Sequence, residues 1–305
     1  MNQSPPLPKE RRARLMKAAS YASLATAVSL ALLKAWAWLE TDSVSLLGSL
    51  ADSLLDLVAS LLTFWAVRFS LEPADAEHRF GHGKSEGLAA LVQAMIISGS
   101  GLYVCAEAID RLVHPRAIAS PELGIAVMVA ATAATVLLVL FQLYVGRRTG
   151  SVAISADAMH YQTDIAVNIG VGLAIFLSAA SGWRLLDPIV GLVVAAYILF
   201  GALGIIRSAL EILLDREIPE EDRATMRRIA LAHPEVYGMH DMKTRFGGSH
   251  YIVQFHLELM PHITLWRSHE ILDEVEAAIR ERYPDVEIII HADPIGFPER
   301  QDFKR

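Results

Sequence analysis

Two short polar interruptions in apolar sequence carry residue types that could do chemistry. Asp52 and Asp56 lie four residues apart in a hydrophobic stretch that begins near Val44, and His160 and Asp164 have the same spacing in a later stretch. On a helix, this spacing places each pair one turn apart on one face. If the two helices are neighbours, three carboxylates and one imidazole converge. Such a four-coordinate set suits a divalent cation such as zinc.

The competing interpretation is that these residues only join helices to one another or lie near a membrane interface. Charged groups inside a membrane span are costly and usually functional, which favours a metal site for two matched pairs. Asp157, three residues before His160, is expected to orient the ring of that histidine from outside the ligand set. Lys34 is expected to extend its amine to the interface or to meet an internal partner.

The composition indicates a membrane protein with an attached domain. The chain has 305 residues, of which 53% are hydrophobic, and its mean hydropathy is +0.36. A transmembrane helix needs about 20 mainly apolar residues. Windows of that kind lie at roughly 18 to 39, 44 to 67, 87 to 110, 122 to 145, 153 to 179 and 188 to 212.

The charge distribution indicates how the chain is oriented and what it binds. The predicted inner loops hold the basic residues Arg68, Arg79, Lys84, Arg147 and Arg148, and the outer loops hold Arg111, Arg116 and Arg184. This bias predicts that both termini lie in the cytoplasm. The net charge of -7 comes mostly from the segment after residue 212, which also holds most of the eleven histidines. Acid combined with histidine favours cations over nucleic acid as partners.

After residue 212 the hydropathy falls and the pattern changes to that of a small soluble domain. Residues 219 to 232 and 265 to 283 are predicted helices, and 237 to 245, 251 to 260 and 286 to 290 are predicted strands. This order predicts a two-layer α+β domain. The expected division is therefore a six-helix transmembrane domain at 1–212 and a metal-binding and dimerisation domain at 213–305. The tail from Pro298 to Arg305 is predicted to be frayed.

Two further clusters of histidine and carboxylate are candidate metal sites. Asp75, His78 and His82 are spaced by three and four residues in a glycine-containing loop, a pattern that spacing alone does not distinguish from a solvated loop. In the terminal domain, four histidines accompany one aspartate, which favours ligands over isolated surface histidines. These residues are His240, His256, His269, His291 and Asp293.

The sequence argues against several enzymatic and structural alternatives. The segment from His269 to Asp273 begins like the H-E-x-x-H motif of zinc proteases but lacks its second histidine. Gly83 and Lys84 do not form a phosphate-binding loop because the preceding glycine pattern is missing. The single cysteine, Cys105, excludes an internal disulfide and a cysteine-rich zinc site. Any metal chemistry must therefore use histidine and carboxylate.

Taken together, these motifs resemble those of the cation diffusion facilitator family, particularly its bacterial zinc and iron efflux members. The resemblance covers nearly the whole chain. It includes D-x-x-x-D in the second span, H-x-x-x-D in the fifth, R-F-G-H-G-K-S-E at 79–86, L-L-D-R at 213–216 and I-I-H-A-D-P at 289–294. Ala292 stands where some relatives have a polar residue, so a side-chain role is not expected there.

The resemblance implies a homodimer of six-helix protomers with cytoplasmic domains of metallochaperone-like (ferredoxin-like) α+β fold, located in the bacterial inner membrane. It implies a transport site at the Asp52, Asp56, His160 and Asp164 quartet, and it favours metal binding at the loop. It also implies a two-metal cytoplasmic site in which Asp293 bridges, and an interlocking ion pair between Lys84 and Asp215. The transported ion is expected to be zinc, with cadmium or iron as further substrates.

The predicted function is a proton-coupled antiporter that exports divalent metal from the cytoplasm. Histidine must be neutral and the carboxylates ionised before they ligate metal, so metal and protons compete for one site. A membrane-anchored sensor that binds without transporting is one alternative, in which the terminal domain matters and the quartet does not. A passive channel is another, although a cage of three carboxylates binds ions too tightly for fast conduction.

Overall fold

The structure, a computed structural model, describes residues 8–41, 44–113, 122–181, 186–248 and 250–296. The chain divides into two compact units, Met1–Leu213 and Leu214–Arg305. Two predictions fall outside the described residues. They are the outer-loop bases Arg116 and Arg184, and the frayed tail from Pro298 to Arg305.

The first unit consists of long helices that coincide with the six apolar windows. Their bounds are α1 (Lys9–Thr41), α2 (Val44–Ser70), α3 (Ser85–Val113), α4 (Glu122–Thr149), α5 (Val152–Ser181) and α6 (Leu186–Leu213). Among the described residues, α1, α2, α3 and α6 contain segments long and apolar enough to cross a membrane. Large apolar side chains face outward on this unit, as at Leu39 and at Phe200, which is 80% exposed. Such a surface fits a lipid environment.

Small residues let the membrane helices approach one another. α3 packs along α6, and α2 contacts α5. A Cβ atom added to Gly101 on α3 would lie 2.9 Å from the Ile198 side chain of α6, so glycine permits this close crossing. Ala90, Ala156 and Ala209 form a buried cluster between α3, α5 and α6. Close packing of this kind fixes how α3, α5 and α6 are arranged around one another.

The second unit has the predicted order of helix, strand, strand, helix, strand. Its elements are α7 (Glu220–Leu231), β1 (Gly238–Phe246), β2 (Tyr251–Leu259), α8 (Leu265–Arg282) and β3 (Glu287–Pro294). The sheet order is β1-β2-β3, with β1 antiparallel and β3 parallel to β2. β3 continues past the predicted end at Ile290, because the residues after it pair with β2 through Pro294.

The two faces of this sheet differ in composition. Phe255 and Leu257 point from β2 into a core that includes Met226 of α7 and Ile271 and Val275 of α8. Both helices therefore cover one face. Alternation along a strand sends Gln254, His256 and Glu258 to the opposite face, which we call the open face. The register places His291 beside His256 and Asp293 beside Glu258 on that face.

Candidate metal centres

The structure brings together three of the four residues predicted to form the membrane site. Asp56 of α2 and His160 and Asp164 of α5 each offer a ligand atom, and these atoms lie within 4.8 Å of one another. His160 Nε2 lies 3.1 Å from Asp56 Oδ1, and both side chains are largely buried. We call these residues the membrane trio. One imidazole and two carboxylates within this radius form a ligand set suited to a divalent cation.

Asp52, the fourth predicted ligand, does not belong to this group. It lies one turn before Asp56 on the same face of α2, as the spacing predicts. However, its side chain is exposed, and it is not among the ligand atoms that meet at the trio. Its neighbour Ser53 is buried and accepts a hydrogen bond from Lys34 Nζ at 2.6 Å. Lys34 thus meets an internal partner. The role of Asp52 as a ligand stays a prediction.

A pocket leads away from the membrane trio between α1, α2, α4 and α5. Its volume is about 350 Å³, including its open mouth. Lining residues include Leu30 and Lys34 of α1, Thr132 and Thr135 of α4, and Asp56 and Asp164 of the trio. The carboxylates of Asp56 and Asp164 and the ammonium of Lys34 therefore line the same pocket.

On the other side of the trio lies a layer of buried polar side chains centred on Asp157. We call this the Asp157 layer; it consists of Ser23, Ser60, Thr63, Gln93, Gln142, Asp157 and Tyr161. Asp157 Oδ2 accepts hydrogen bonds from Ser23 Oγ at 2.6 Å and from Gln142 Nε2 at 2.5 Å. Gln93 Nε2 donates to Oδ1 at 3.3 Å. The hydrogen bonds of Asp157 in the described structure go to α1, α3 and α4 rather than to the ring of His160, so its orienting role stays a prediction.

The loop between α2 and α3 brings its three predicted ligands together. Asp75, His78 and His82 offer ligand atoms within 4.8 Å of one another. The two carboxylate oxygens of Asp75 lie 3.4 Å from His78 Nδ1 and 3.2 Å from His82 Nε2. The backbone N–H of His78 donates to Asp75 and holds the pKa of that carboxyl below its usual range. The loop therefore keeps an ionised carboxylate beside two imidazoles.

His82 differs from the other loop ligands in its burial. Its side chain is 3% exposed and packs against the ring of Phe69, with ring centroids 4.3 Å apart. In the described part of the chain, its Nδ1 atom is buried without a hydrogen-bond partner. A buried ring nitrogen in this state is a natural metal ligand or water contact.

The open face of the terminal sheet carries a third cluster, at His240, His256 and Asp293. Asp293 Oδ2 lies 2.8 Å from His256 Nδ1 and 3.6 Å from His240 Nε2. His291 Nε2 lies 3.2 Å from Asp293 Oδ1, the other oxygen of the same carboxylate. One aspartate thus contacts three imidazoles, which is the arrangement that a bridging carboxylate requires.

His269 is the predicted ligand that the protomer does not bring to this cluster. It lies on α8, which covers the opposite face of the sheet, and its side chain is 72% exposed. Its Nε2 lies 3.6 Å from the carboxylate of Asp273 on the same helix. Since the sheet separates α8 from the open face, His269 cannot join the cluster of its own chain.

Two further carboxylates, outside the predicted ligand set, lie near this cluster. Glu258 Oε1 lies 3.7 Å from His240, and Asp241 Oδ2 lies 3.8 Å from His256. Asp241 has a positive φ of 46° in the irregularity where β1 shifts register against β2. A hydrogen bond from Lys243 lowers the pKa of its carboxyl. Alternation does reveal Glu258, whereas only the bulge turns Asp241 toward the histidines.

The predicted ion pair between Lys84 and Asp215 joins residues of the two different units and stays a prediction. Within its own unit, Asp215 accepts a hydrogen bond from Arg245 at 3.1 Å. Asp215 also has a positive φ of 55°. The short segment that leads into α7 therefore has a defined conformation at this residue.

Comparison with known proteins assigns this arrangement to a family. Residues 20–214 match the cation efflux transmembrane domain, and residues 218–295 match the cytoplasmic domain of cation efflux proteins. The chain belongs to the cation efflux family. Its members are transporters of metal ions rather than enzymes, so the transporter class and the architecture of a helical membrane domain with a cytoplasmic α+β domain are confirmed.

The similarity to individual relatives covers nearly the whole chain of this cation efflux protein. It is 43% identical to the cation-efflux pump FieF of Salmonella choleraesuis over 291 residues, which cover 95% of this chain and 97% of that protein. It is 42% identical to FieF of Salmonella arizonae over 288 residues, covering 94% and 96%.

Comparison with solved structures gives short matches to C-terminal domains of other proteins. The metal-bound C-terminal domain of the CzcD transporter from Thermotoga maritima is 20% identical, with a TM-score of 0.25, and covers 26% of this chain and 93% of that chain. The MamM C-terminal domain is also 20% identical, with a TM-score of 0.24, and covers 25% and 99%.

Proposed function

We propose that this cation efflux protein is a proton-coupled antiporter that exports divalent metal, zinc first, from the cytoplasm across a bacterial inner membrane. The single observation that carries the proposal is the membrane trio. Two carboxylates and an imidazole meet inside apolar helices, where unpaired charges are costly. A bound divalent cation would offset that cost.

Proton coupling follows from the chemistry of the trio. His160 lies 3.1 Å from Asp56, a distance at which a protonated imidazole and a carboxylate pair favourably. Metal binding requires that this proton leave, because only the neutral ring can ligate. Metal and proton thus occupy the same site in turn. If the site opens alternately to each side, the exchange becomes antiport.

Zinc is the favoured substrate because of the donor types. Imidazole nitrogen with carboxylate oxygen is a common zinc ligand set, whereas sites made only of oxygen suit magnesium, calcium and manganese. Asp52 would supply a fourth ligand if a rotation of α2 brought its carboxylate to the trio. Cadmium and iron would bind the same donors.

The terminal unit is proposed to act as a metal-responsive dimerisation module. The open face holds one aspartate in contact with three imidazoles, and His269 points away from it on α8. A second copy of the chain can bring its own His269 to this cluster, which a single chain cannot. Cytoplasmic metal would therefore hold two terminal units together and bias transport.

The test of transport uses liposomes that hold a zinc-sensitive dye and a pH-sensitive dye. We expect the wild-type protein to move zinc in one direction and protons in the other. Asp56→Ala should abolish both fluxes because it removes the carboxylate that contacts His160 and is proposed to bind the metal. Glu211→Ala, on α6, removes a carboxylate that pairs with exposed Arg207 outside the trio and serves as the matched control.

The outcomes separate the alternatives. Zinc and proton exchange that persists in Asp56→Ala would contradict the site assignment. Zinc flux that ignores an imposed pH gradient would indicate a channel. Zinc binding without flux in the wild-type protein would indicate a sensor.

A further inference from the structure

The Asp157 layer has a position along the bundle that the transport site does not explain. The end of the first unit that carries the loop between α2 and α3 also carries the turn between α4 and α5; we call it the loop end. A helix rises about 1.5 Å per residue, so Asp157, five residues into α5, lies about 7 Å from that end. By the same measure, His160 lies about 12 Å and Asp164 about 18 Å from it.

The same order appears on the neighbouring helices. Thr63 and Ser60 of α2 lie closer to the loop end than Asp56, which follows from the direction of that helix. On α4, Gln142 lies about 10 Å from the loop end, whereas Thr132 of the pocket lies about 25 Å from it. The membrane trio therefore lies between Thr132 of the pocket and most of the Asp157 layer. Tyr161, about 14 Å from the loop end, belongs to the layer and also lines the pocket.

The layer closes the bundle at this level. Ser23, Ser60, Thr63, Gln93, Gln142, Asp157 and Tyr161 are each at most 1% exposed, and they come from α1, α2, α3, α4 and α5. Their hydrogen bonds run between helices. Ser60 Oγ lies 2.9 Å from Ser23 Oγ and 2.8 Å from the Tyr161 hydroxyl, and Gln93 Nε2 bonds the Thr63 hydroxyl and the Ala59 carbonyl.

We propose that the Asp157 layer is the gate between the metal site and the loop end, and that Asp157 is its positioning residue. Asp157 touches three other helices through Ser23, Gln93 and Gln142, so the closed layer depends on this one carboxylate. The proposal rests on the proposed transport function in one respect: a gate is needed only if the site opens alternately to both sides.

A polar gate has a physical advantage over an apolar one. Hydrogen bonds between protein groups can be exchanged for bonds to water at small net cost, so the closed and open states of a polar layer lie close in free energy. The carbonyl oxygens of Gln93 and Gln142 are buried without a partner in the described part of the chain. Opening would hydrate these two oxygens, which favours the open state and offsets part of the lost contacts.

The charge of the layer also suits a path for cations. Every hydrogen-bond partner of Asp157 in the described structure is a neutral hydroxyl or amide. Once water enters, hydration favours the ionised carboxylate, which has no cation beside it among these partners. A hydrated divalent cation passing from the loop end would thus meet one attractive carboxylate before it reaches the membrane trio.

The experiment measures access to the trio from the loop end. In a Cys105→Ala background, Asp56→Cys places a single thiol at the trio while leaving the layer residues unchanged. The protein is reconstituted in liposomes and treated with a membrane-impermeant thiol reagent. A parallel Glu77→Cys protein, with its thiol in the exposed α2–α3 loop, gives the fraction of reconstituted molecules whose loop end faces the reagent.

We expect Asp157→Ala to raise the rate at which the thiol at position 56 is labelled from the loop end by about tenfold, because the closed layer loses its common acceptor. Gln142→Leu, which keeps volume but removes the amide, should raise it by a smaller factor. Asp157→Asn keeps the size of the side chain and one acceptor oxygen but replaces the other with a donor, so it should lie between the parent and Asp157→Ala. Ser98→Ala on α3, which breaks only a bond to Ala94 of its own helix, should change nothing.

Two results would overturn the proposal: unchanged labelling in both folded Asp157→Ala and folded Gln142→Leu, or equal increases in the Ser98→Ala control. Folding is checked by monodispersity and helical content. Zinc and proton fluxes are measured separately in the same layer variants with Asp56 intact. Absent wild-type exchange with increased labelling would contradict the transport function alone. Normal wild-type exchange with unchanged labelling would contradict the gate alone.

Discussion

At the scale of single residues, Lys34 places a positive charge in the pocket beside the membrane trio. Its ammonium donates to Ser53 and lines the same pocket as Asp56 and Asp164. A positive charge this close weakens the binding of a divalent cation at the trio and so favours release. Without that charge, the carboxylates would hold metal more tightly.

We therefore expect Lys34→Gln to tighten zinc binding by on the order of tenfold and to slow turnover. Lys34→Arg keeps the charge and is the control. The measurement is isothermal titration of the detergent-solubilised protein, with Asp293→Ala and Asp75→Ala present in every sample so that the other clusters do not contribute. Equal or weaker affinity in Lys34→Gln would show that the lysine serves packing alone.

At the scale of elements, the terminal unit depends on a carboxylate that joins its two layers. Asp222 of α7 accepts hydrogen bonds from Tyr251 of β2 at 3.1 Å and from Tyr283, the C-cap of α8, at 2.9 Å. Burial and the nearby carboxylate raise the pKa of Tyr251 to about 12, and the pKa of Tyr283 is also raised to about 12. These phenols therefore bind their protons more tightly in the folded unit.

This shift fixes the pH dependence of stability. A raised pKa in the folded state contributes stability that is complete below the unfolded value of about 10 and is lost as pH rises toward 12. We expect the thermal midpoint of a fragment of residues 214–305 to fall between pH 10 and 12. Tyr251→Phe should lower stability at neutral pH by about 1 kcal/mol and flatten that fall. Calorimetry of both proteins across this range is the measurement; identical pH profiles would contradict it.

At the scale of the whole molecule, the proposed dimer would complete the terminal cluster by bringing His269 of a second chain to it. The sheet keeps His269 on the side opposite to His291, so each complete site would need His291 from one chain and His269 from the other. A His269→Ala homodimer and a His291→Ala homodimer would each lack every complete site. A mixed dimer of these two variants would regain one.

We expect an equimolar mixture of the two variants to recover about a quarter of the complete zinc sites of the wild-type fragment, because half of the dimers are mixed and each has one site of two. The measurement is zinc titration after the subunits have exchanged. His262→Ala, which changes a histidine outside the cluster, should bind as the wild type does. No recovery on mixing would mean that His269 does not act across the dimer.

The sequence by itself determined the spans, the α+β order of the terminal unit, and most candidate ligands. Helical and strand periodicity are local properties, so residues four apart on α2 and α5, or alternating on β2, reveal their shared faces without any tertiary information. The pairing of those faces is different. Only packing among the helices decided that Asp56 meets His160 and Asp164, that Asp52 stays outside, and that Asp157 turns to Ser23, Gln93 and Gln142.

The same distinction holds in the terminal unit. Strand register brought His256 beside His291, and a bulge aimed Asp241 toward the histidines, while the sheet itself separated His269 from them. Lone glutamines in apolar spans were visible in the sequence at positions 93 and 142. Their shared partner, Asp157, was not evident from the sequence, because contacts between distant segments depend on how helices pack rather than on local spacing.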